Sequence, residues 1–236
     1  MRKVLVLMGD GINSENELVS AFAQAGGEVH RKHVNELLRR PDLLKAYQLL
    51  ALPGGFSFGD ELRSGKILAE KLRDALATEL SEFLNRDGRV LGICNGFQVL
   101  AQLGAFDLGG QRSFTLAEND HERFMNKWAR LSIAPEASGR SAWFQGLSGS
   151  LFLPVRHREG RVVKESSRAL PFAPLRYDED INGSFDRTAG VLSADGRIFG
   201  LMPHPEVATQ TFLHPINVAA EENVGKIRTL FRNGLA

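Results

Sequence analysis

Arg89-Val90-Leu91-Gly92-Ile93-Cys94-Asn95-Gly96-Phe97-Gln98-Val99-Leu100-Ala101-Gln102-Leu103 is the stretch on which the reading of this chain turns. Arg89 to Ile93 has the apolar run of a buried strand, and the residues from Phe97 to Leu103 have the pattern of a helix. Between them Cys94, the only cysteine, stands at the tip of a sharp turn flanked by Gly92 and Gly96. A strand, a tight turn and a helix with a nucleophilic side chain at the tip make a nucleophile elbow, here with sulfur in place of oxygen. Glycine neighbours keep side chains away from a tip residue that is held in a strained conformation. The helix that follows directs backbone N–H groups and the positive end of its dipole at the sulfur, which favours thiolate. A lone cysteine in an arbitrary context packs as a small hydrophobe. The two glycines at a strand-to-helix junction reverse that reading, provided that a base and an oxyanion site exist elsewhere in the chain.

Outward from Cys94, strand-like and helical segments alternate, which predicts an α/β fold: a flavodoxin-like, doubly wound, mostly parallel open sheet with helices on both faces. Strands are expected at Lys3–Met8, Glu28–His33, Tyr47–Leu52 and Arg89–Ile93, and helices at Ser14–Ala25 and Glu61–Leu84, the latter broken near Gly65. Beyond Gly104 the segments shorten and turn residues multiply. A small antiparallel extension is expected there, from Leu151–Arg156 and Arg161–Lys164. Thr188–Ser193 and Gly196–Met202 read as a hairpin turning at Ala194-Asp195-Gly196, and Val218–Arg232 as a last helix. No repeat, low-complexity tract or linker interrupts the 236 residues, so one domain over 1–236 is expected.

Bulk composition narrows the function. A net charge of +1 with 24% charged residues offers no basic stripe, so no nucleic-acid partner is expected. One cysteine excludes an intrachain disulfide framework and fits a reducing compartment. The apolar run in Met1–Met8 is too short for a signal-peptide core and stops at Gly9-Asp10-Gly11. No segment approaches the ~18 apolar residues of a membrane helix. The expectation is a cytoplasmic protein with no membrane association and no metal site.

Of six histidines, His204 is the best base for Cys94. It follows the apolar strand Ile198-Phe199-Gly200-Leu201-Met202, so it lies at a strand's C-terminal end, as Cys94 does, where ligands bind in open α/β sheets. Pro203 and Pro205 restrict its backbone, and Glu206 is placed to accept from the far ring nitrogen. Pro53-Gly54-Gly55-Phe56-Ser57-Phe58-Gly59-Asp60 also follows an apolar strand. The N–H groups of Gly55 and Asn95 are therefore candidates for an oxyanion hole. Alone, each feature has a plainer reading: a turn histidine, a solvated glutamate, a glycine-rich turn. Taken together they describe a cysteine acyl-transfer enzyme.

These pieces resemble the class I (triad) glutamine amidotransferases, and within them the glutaminase components of phosphoribosylformylglycinamidine synthase, an enzyme of purine biosynthesis. The resemblance runs from Lys3 to Glu206. It rests on Gly54-to-Asp60 with Leu62-Arg63-Ser64-Gly65, Gly92-Ile93-Cys94-Asn95-Gly96-Phe97-Gln98, Pro154-Val155-Arg156-His157-Arg158-Glu159-Gly160-Arg161, Asn182-Gly183-Ser184, and Gly200-to-Glu206, in that order. It implies that Cys94 attacks the side-chain amide of L-glutamine to give a γ-glutamyl thioester, with His204 as acid and base and Glu206 as its orienter. It also implies substrate binding by Gly54, Gln98, Arg123 and Phe124, and transfer of ammonia to a separate synthetase subunit. That partner uses ATP and Mg to convert formylglycinamide ribonucleotide to the amidine, so no cofactor is expected in this chain. The resemblance also admits a small accessory subunit.

Two segments depart from the family pattern. The loop after the first strand, where a cysteine is frequent, reads Asn13-Ser14-Glu15. Asn119-Asp120-His121-Glu122-Arg123-Phe124 keeps the Asn, Arg and Phe of an N-x-S-G-R-F pattern but has His121 for Ser and Glu122 for Gly; His121 is read as a surface residue. The alternatives are a glutaminase of another biosynthetic pathway, a related α/β cysteine hydrolase of peptidase or deglycase type, and a partner-binding subunit with a silent site. The hydrolases often carry His directly after the nucleophile, where this chain has Asn95.

Overall fold

A computed structural model describes residues 1–60, 63–107, 112–165, 167–216 and 218–236. In chain order the strands are β1 (Lys3–Met8), β2 (Glu28–His33), β3 (Leu49–Leu52), β4 (Arg89–Ile93), β5 (Phe114–Ala117), β6 (Met125–Ile133), β7 (Ser150–His157), β8 (Arg161–Lys164), β9 (Leu175–Tyr177), β10 (Thr188–Leu192) and β11 (Ile198–Leu201). The helices are α1 (Glu15–Gln24), α2 (Val34–Arg39), α3 (Lys66–Asn85), α4 (Asn95–Leu103), the single turn α5 (Ala137–Arg140) and α6 (Ala220–Gly234).

Among the described residues, nine strands form one sheet in the order β2-β1-β3-β4-β11-β10-β9-β6-β7. The first five are mutually parallel, and the chain order reverses between β1 and β3. This is the flavodoxin-like doubly wound arrangement, whose ligand crevice lies beyond the strands' C-terminal ends. Val4, Leu5, Val6 and Leu7 are all fully buried, as are most residues of β3, β4 and β11. Both faces of these strands are therefore covered, which explains their continuous rather than alternating apolar runs. Two groups of helices supply the cover. α1 meets α6 through an edge-to-face contact of Phe22 and Phe231 at 5.1 Å, while α2, α3 and α4 pack on one another.

The antiparallel part is larger than the sequence reading had it. β10, β9, β6 and β7 extend the main sheet in antiparallel fashion. The two segments expected to form the extension, Leu151–Arg156 and Arg161–Lys164, do not pair with each other. β7 lies along β6, whereas β8 pairs with β5 in a separate two-stranded sheet. The expected hairpin is present as β10–β11. Its turn is held by Ser193 Oγ, which accepts from Ile198 N at 3.0 Å, and by Gly196 at φ 70°. The helix expected over Glu61–Leu84 begins at Lys66, just after Gly65 at φ 73°, while Glu61 and Leu62 lie outside the described residues. Tyr47 closes a 3-10 turn over Pro41–Ala46 rather than opening β3. Among the described residues no helix is long and apolar enough to cross a membrane.

Candidate active site

Cys94 sits between β4 and α4 with φ 51° and ψ −106°, a conformation that costs an L-residue about 1–3 kcal/mol. Its backbone is gripped from both sides, Cys94 N donating to Leu201 O at 2.8 Å and Gln98 N to Cys94 O at 3.0 Å. The glycine at position 96 is required by space. A Cβ there would fall 2.0 Å from Leu52 O, so the elbow helix can lie on β3 only without one. The side chain of Cys94 is buried, and its thiol points at Arg156 O on β7 at 3.6 Å.

His204 follows β11 and is tied to the flanking strand β7, its N–H donating to Pro154 O at 2.8 Å. Its Nδ1 faces Glu206 Oε1 at 2.7 Å, and both side chains are buried. Nδ1 therefore carries a proton and donates to the carboxylate. Burial works against the imidazolium, but the charges of Glu206 and of the Cys94 sulfur outweigh it and raise His204 to a pKa of about 10. Among the described residues, His204 Nε2 is buried without a hydrogen-bond partner.

Gly54 lies between thiol and imidazole. A Cβ on it would fall 2.8 Å from His204 Cε1 and 3.4 Å from Cys94 Cβ. Its own polar groups are committed, N–H to Ser14 Oγ at 2.8 Å and C=O to Asn13 N at 3.2 Å. It thus serves as the spacer that lets base and nucleophile approach. Ser14, in the segment that departs from the family pattern, earns its place by holding this backbone. Gly55 adopts φ 140°, open to glycine, and lines the cavity beside Cys94. Asn95 opens α4, so its N–H stands at the helix's positive end. Its side chain accepts from Ser57 N at 3.2 Å and donates to Gln98 Oε1 at 3.0 Å, and Gln98 Nε2 donates in turn to Glu159 O at 2.5 Å. This relay ties two loops, at Ser57 and at Glu159, to the first turn of α4 beside the thiol. Gln98 lines the cavity, but both ends of its amide are engaged by protein.

The cavity measures about 550 Å³ and is lined by Cys94, His204, Gly55, Gln98 and Phe124, with Ser14 and the Arg156–Glu159 segment among the other walls. Phe124 projects into it half exposed. The Arg123 side chain does not line it; its carbonyl accepts from Asn119 Nδ2 at 3.0 Å. The unusual residues of this loop fit its geometry. Glu122 has φ 58°, the left-handed conformation that the pattern's glycine would take without strain. His121 is exposed and its Nδ1 accepts from Arg123 N at 3.2 Å, the two-residue cap that a serine hydroxyl would make.

Two groups escaped the sequence reading as site residues. His157, at the end of β7, lines the cavity yet is 3% exposed. Burial first, and then the positive potentials of His204 and His121, lower its pKa to about 3. Buried Asn119 faces it, with Oδ1 3.1 Å from His157 Nδ1. The alternation of β7, with Val155 in, Arg156 out and His157 in, was the available signal, but flanking arginines disguise it.

A strained thiol beside a carboxylate-oriented imidazole, at the C-terminal ends of strands in an open parallel sheet, defines the class of cysteine triad enzymes. A sequence model of the CobB/CobQ-like glutamine amidotransferase domain matches residues 1–236, and the chain belongs to that family. It is a glutamine amidotransferase. Phosphoribosylformylglycinamidine synthase subunit PurQ of Methanococcus maripaludis is 35% identical, across 90% of this chain and 85% of its own length. The corresponding subunit of Dehalococcoides mccartyi is 34% identical, across 90% and 88%. The structure of PurLQS from Thermotoga maritima matches with a TM-score of 0.78 at 31% identity, covering 100% of this chain and 98% of the other.

Proposed function

We propose that this chain is the glutaminase subunit of a phosphoribosylformylglycinamidine synthase, and that Cys94, His204 and Glu206 carry the chemistry. The observation that carries the reading is the buried His204–Glu206 pair at 2.7 Å, one glycine's width from a thiol at φ 51°. The Cys94 thiolate attacks the carboxamide carbon of L-glutamine, and the carbonyl π pair moves to oxygen. The N–H groups of Gly55 and Asn95 hold that oxyanion, each donor lowering the barrier by about 3 kcal/mol. The imidazolium of His204 protonates the nitrogen, the C–N pair goes to nitrogen, and ammonia leaves a γ-glutamyl thioester. His204 then takes a proton from water, which attacks the thioester and releases glutamate and the thiolate.

Ammonia passes to a synthetase subunit that uses ATP and Mg, so this chain needs no cofactor of its own. The similarity to PurQ subunits over nine-tenths of the chain supports this assignment. A cytoplasmic location follows from the pathway. Reconstitution with the synthetase tests the reading. Cys94→Ala is expected to abolish glutamine-dependent synthesis while ammonia-dependent synthesis survives; intact glutamine-dependent synthesis would refute it.

A further inference from the structure

His157 is held in a single protonation and tautomeric state by its neighbours. Asn119 Nδ2 donates to two carbonyls, His157 O and Arg123 O, each at 3.0 Å. A carbonyl only accepts, so the amide of Asn119 has one orientation and Oδ1 must face His157 Nδ1. Asn182 Nδ2 reaches the same Oδ1 at 3.5 Å, as a second donor to it. His157 Nδ1 is therefore the protonated nitrogen, and Nε2 carries a lone pair. Burial, and then the potentials of His204 and His121, disfavour the doubly protonated ring, so that lone pair is present near neutral pH. Nε2 is buried without a hydrogen-bond partner, in a side chain that lines the catalytic cavity. A buried acceptor left unmade is costly, and among the described residues the other histidine ring nitrogen in this condition is His204 Nε2. His157 and His204 line the same cavity as Cys94, and Arg156, next to His157, presents its carbonyl to Cys94 Sγ at 3.6 Å.

A lone pair selects a donor. Of the groups that enter with glutamine at the thiol end, the carboxamide nitrogen donates, whereas its oxygen and the carboxylate of the product do not. We propose that His157 Nε2 accepts an N–H of the scissile carboxamide, so that His157 positions the leaving nitrogen and selects amide over acid. This rests on the glutaminase reading above. Once thiolate addition has made the carbon tetrahedral, the nitrogen has two N–H bonds and one lone pair. Accepting an N–H at His157 Nε2, with Arg156 O available for the other, turns the lone pair toward His204. The C–N bond then breaks with its pair going to nitrogen, the His204 proton joins that nitrogen, and the oxyanion pair restores the C=O. After hydrolysis the glutamate carboxylate meets a lone pair instead of offering a donor, which favours its departure.

The test compares two leaving groups in the enzyme reconstituted with its synthetase. L-glutamine has N–H bonds on its leaving atom; the γ-methyl ester of L-glutamate has none. His157→Phe is expected to lower kcat/KM for glutamine about 10–100-fold, largely in kcat, and to change ester hydrolysis by less than about threefold. His157→Gln, whose side-chain oxygen accepts, is expected to recover most of the glutamine activity. Equal losses on both substrates would overturn the proposal. Labelling of Cys94 by a glutamine-analogue chloroketone separates the two levels: if the wild-type enzyme is not labelled, the glutaminase reading fails, and not this one alone. Should His157→Phe not fold, imidazole ¹⁵N NMR of the wild-type chain decides. A bare Nε2 and protonated Nδ1 near neutral pH are expected, and a protonated Nε2 would overturn the assignment.

Discussion

The parallel half of the sheet and its antiparallel flank divide the work of this molecule unequally. β2-β1-β3-β4-β11 carries the residues proposed to react, with Cys94 after β4 and His204 after β11. The flank, through β7 and the Asn119 loop, builds the wall against which substrate must lie. In the parallel half, position is set by backbone constraint: a strained elbow, a spacer glycine and a histidine between prolines. In the flank it is set by side-chain hydrogen bonds, with Asn119, His157 and Asn182 tying strand to loop. Damage to the first region is therefore expected to break chemistry outright, and damage to the second to tune it.

The largest expected effect is that of Glu206→Gln. Loss of the carboxylate removes the tautomeric control of His204 and the largest cause that raises its pKa, leaving burial opposed by Cys94 alone. Glutaminase kcat should fall about 10²–10⁴-fold, and the alkaline limb of its pH profile should move down by about 1–3 pH units. A group whose pKa is raised on folding stabilises the fold fully below its unfolded value near 6.5 and loses that contribution as pH rises through its folded value. In the wild type this window extends from about pH 6.5 to about 10. Chemical denaturation across it should show a decline in stability that Glu206→Gln flattens. An unmoved pH limb would mean that Glu206 does not govern His204.

Next in size is the contrast between two alanine substitutions. Gly54→Ala drives a methyl group against His204 and should cost about 10²-fold in kcat, since a displacement of about 1 Å between reacting groups is worth that much. Gly139→Ala, in the flank's single-turn helix α5, meets nothing within 4 Å and should leave kinetics unaltered. Similar kinetics for the two variants would break the contrast between the regions. The smallest effect concerns Glu122 at φ 58°. Glu122→Gly relieves a left-handed conformation, and thermal or denaturant unfolding should show a gain of about 0.5–1 kcal/mol. A loss would show that the Glu122 side chain makes a contribution larger than its strain.

The same division explains what could be read from sequence. β1 and β4 lie where the apolar runs place them, β2 and β8 keep their expected bounds without such runs, and the elbow was explicit in Gly92-to-Gly96. Buried parallel strands advertise themselves because both faces are apolar. β6 escaped notice although, at nine residues, it is the longest described strand. Its alternation is regular only from Ala129 through Leu131 and Ile133, after an irregular start at Met125-Asn126-Lys127-Trp128. The pairing of β5 with β8 and of β6 with both β7 and β9 joins residues far apart in sequence, which no local signal encodes. His157 and Asn119 were hidden for a related reason. Arg156, Arg158 and the run Glu118-Asn119-Asp120-His121-Glu122 look like solvated loops, and only the fold turns one imidazole and one amide inward.

The central claim, that Cys94 is the nucleophile of a glutamine-directed site, is tested most directly by intact mass after treatment with a glutamine-analogue electrophile. The account predicts one adduct per chain, mapped to Cys94, formed more slowly in the presence of L-glutamine and absent from Cys94→Ala. An unmodified chain, or modification that glutamine does not slow, would contradict it.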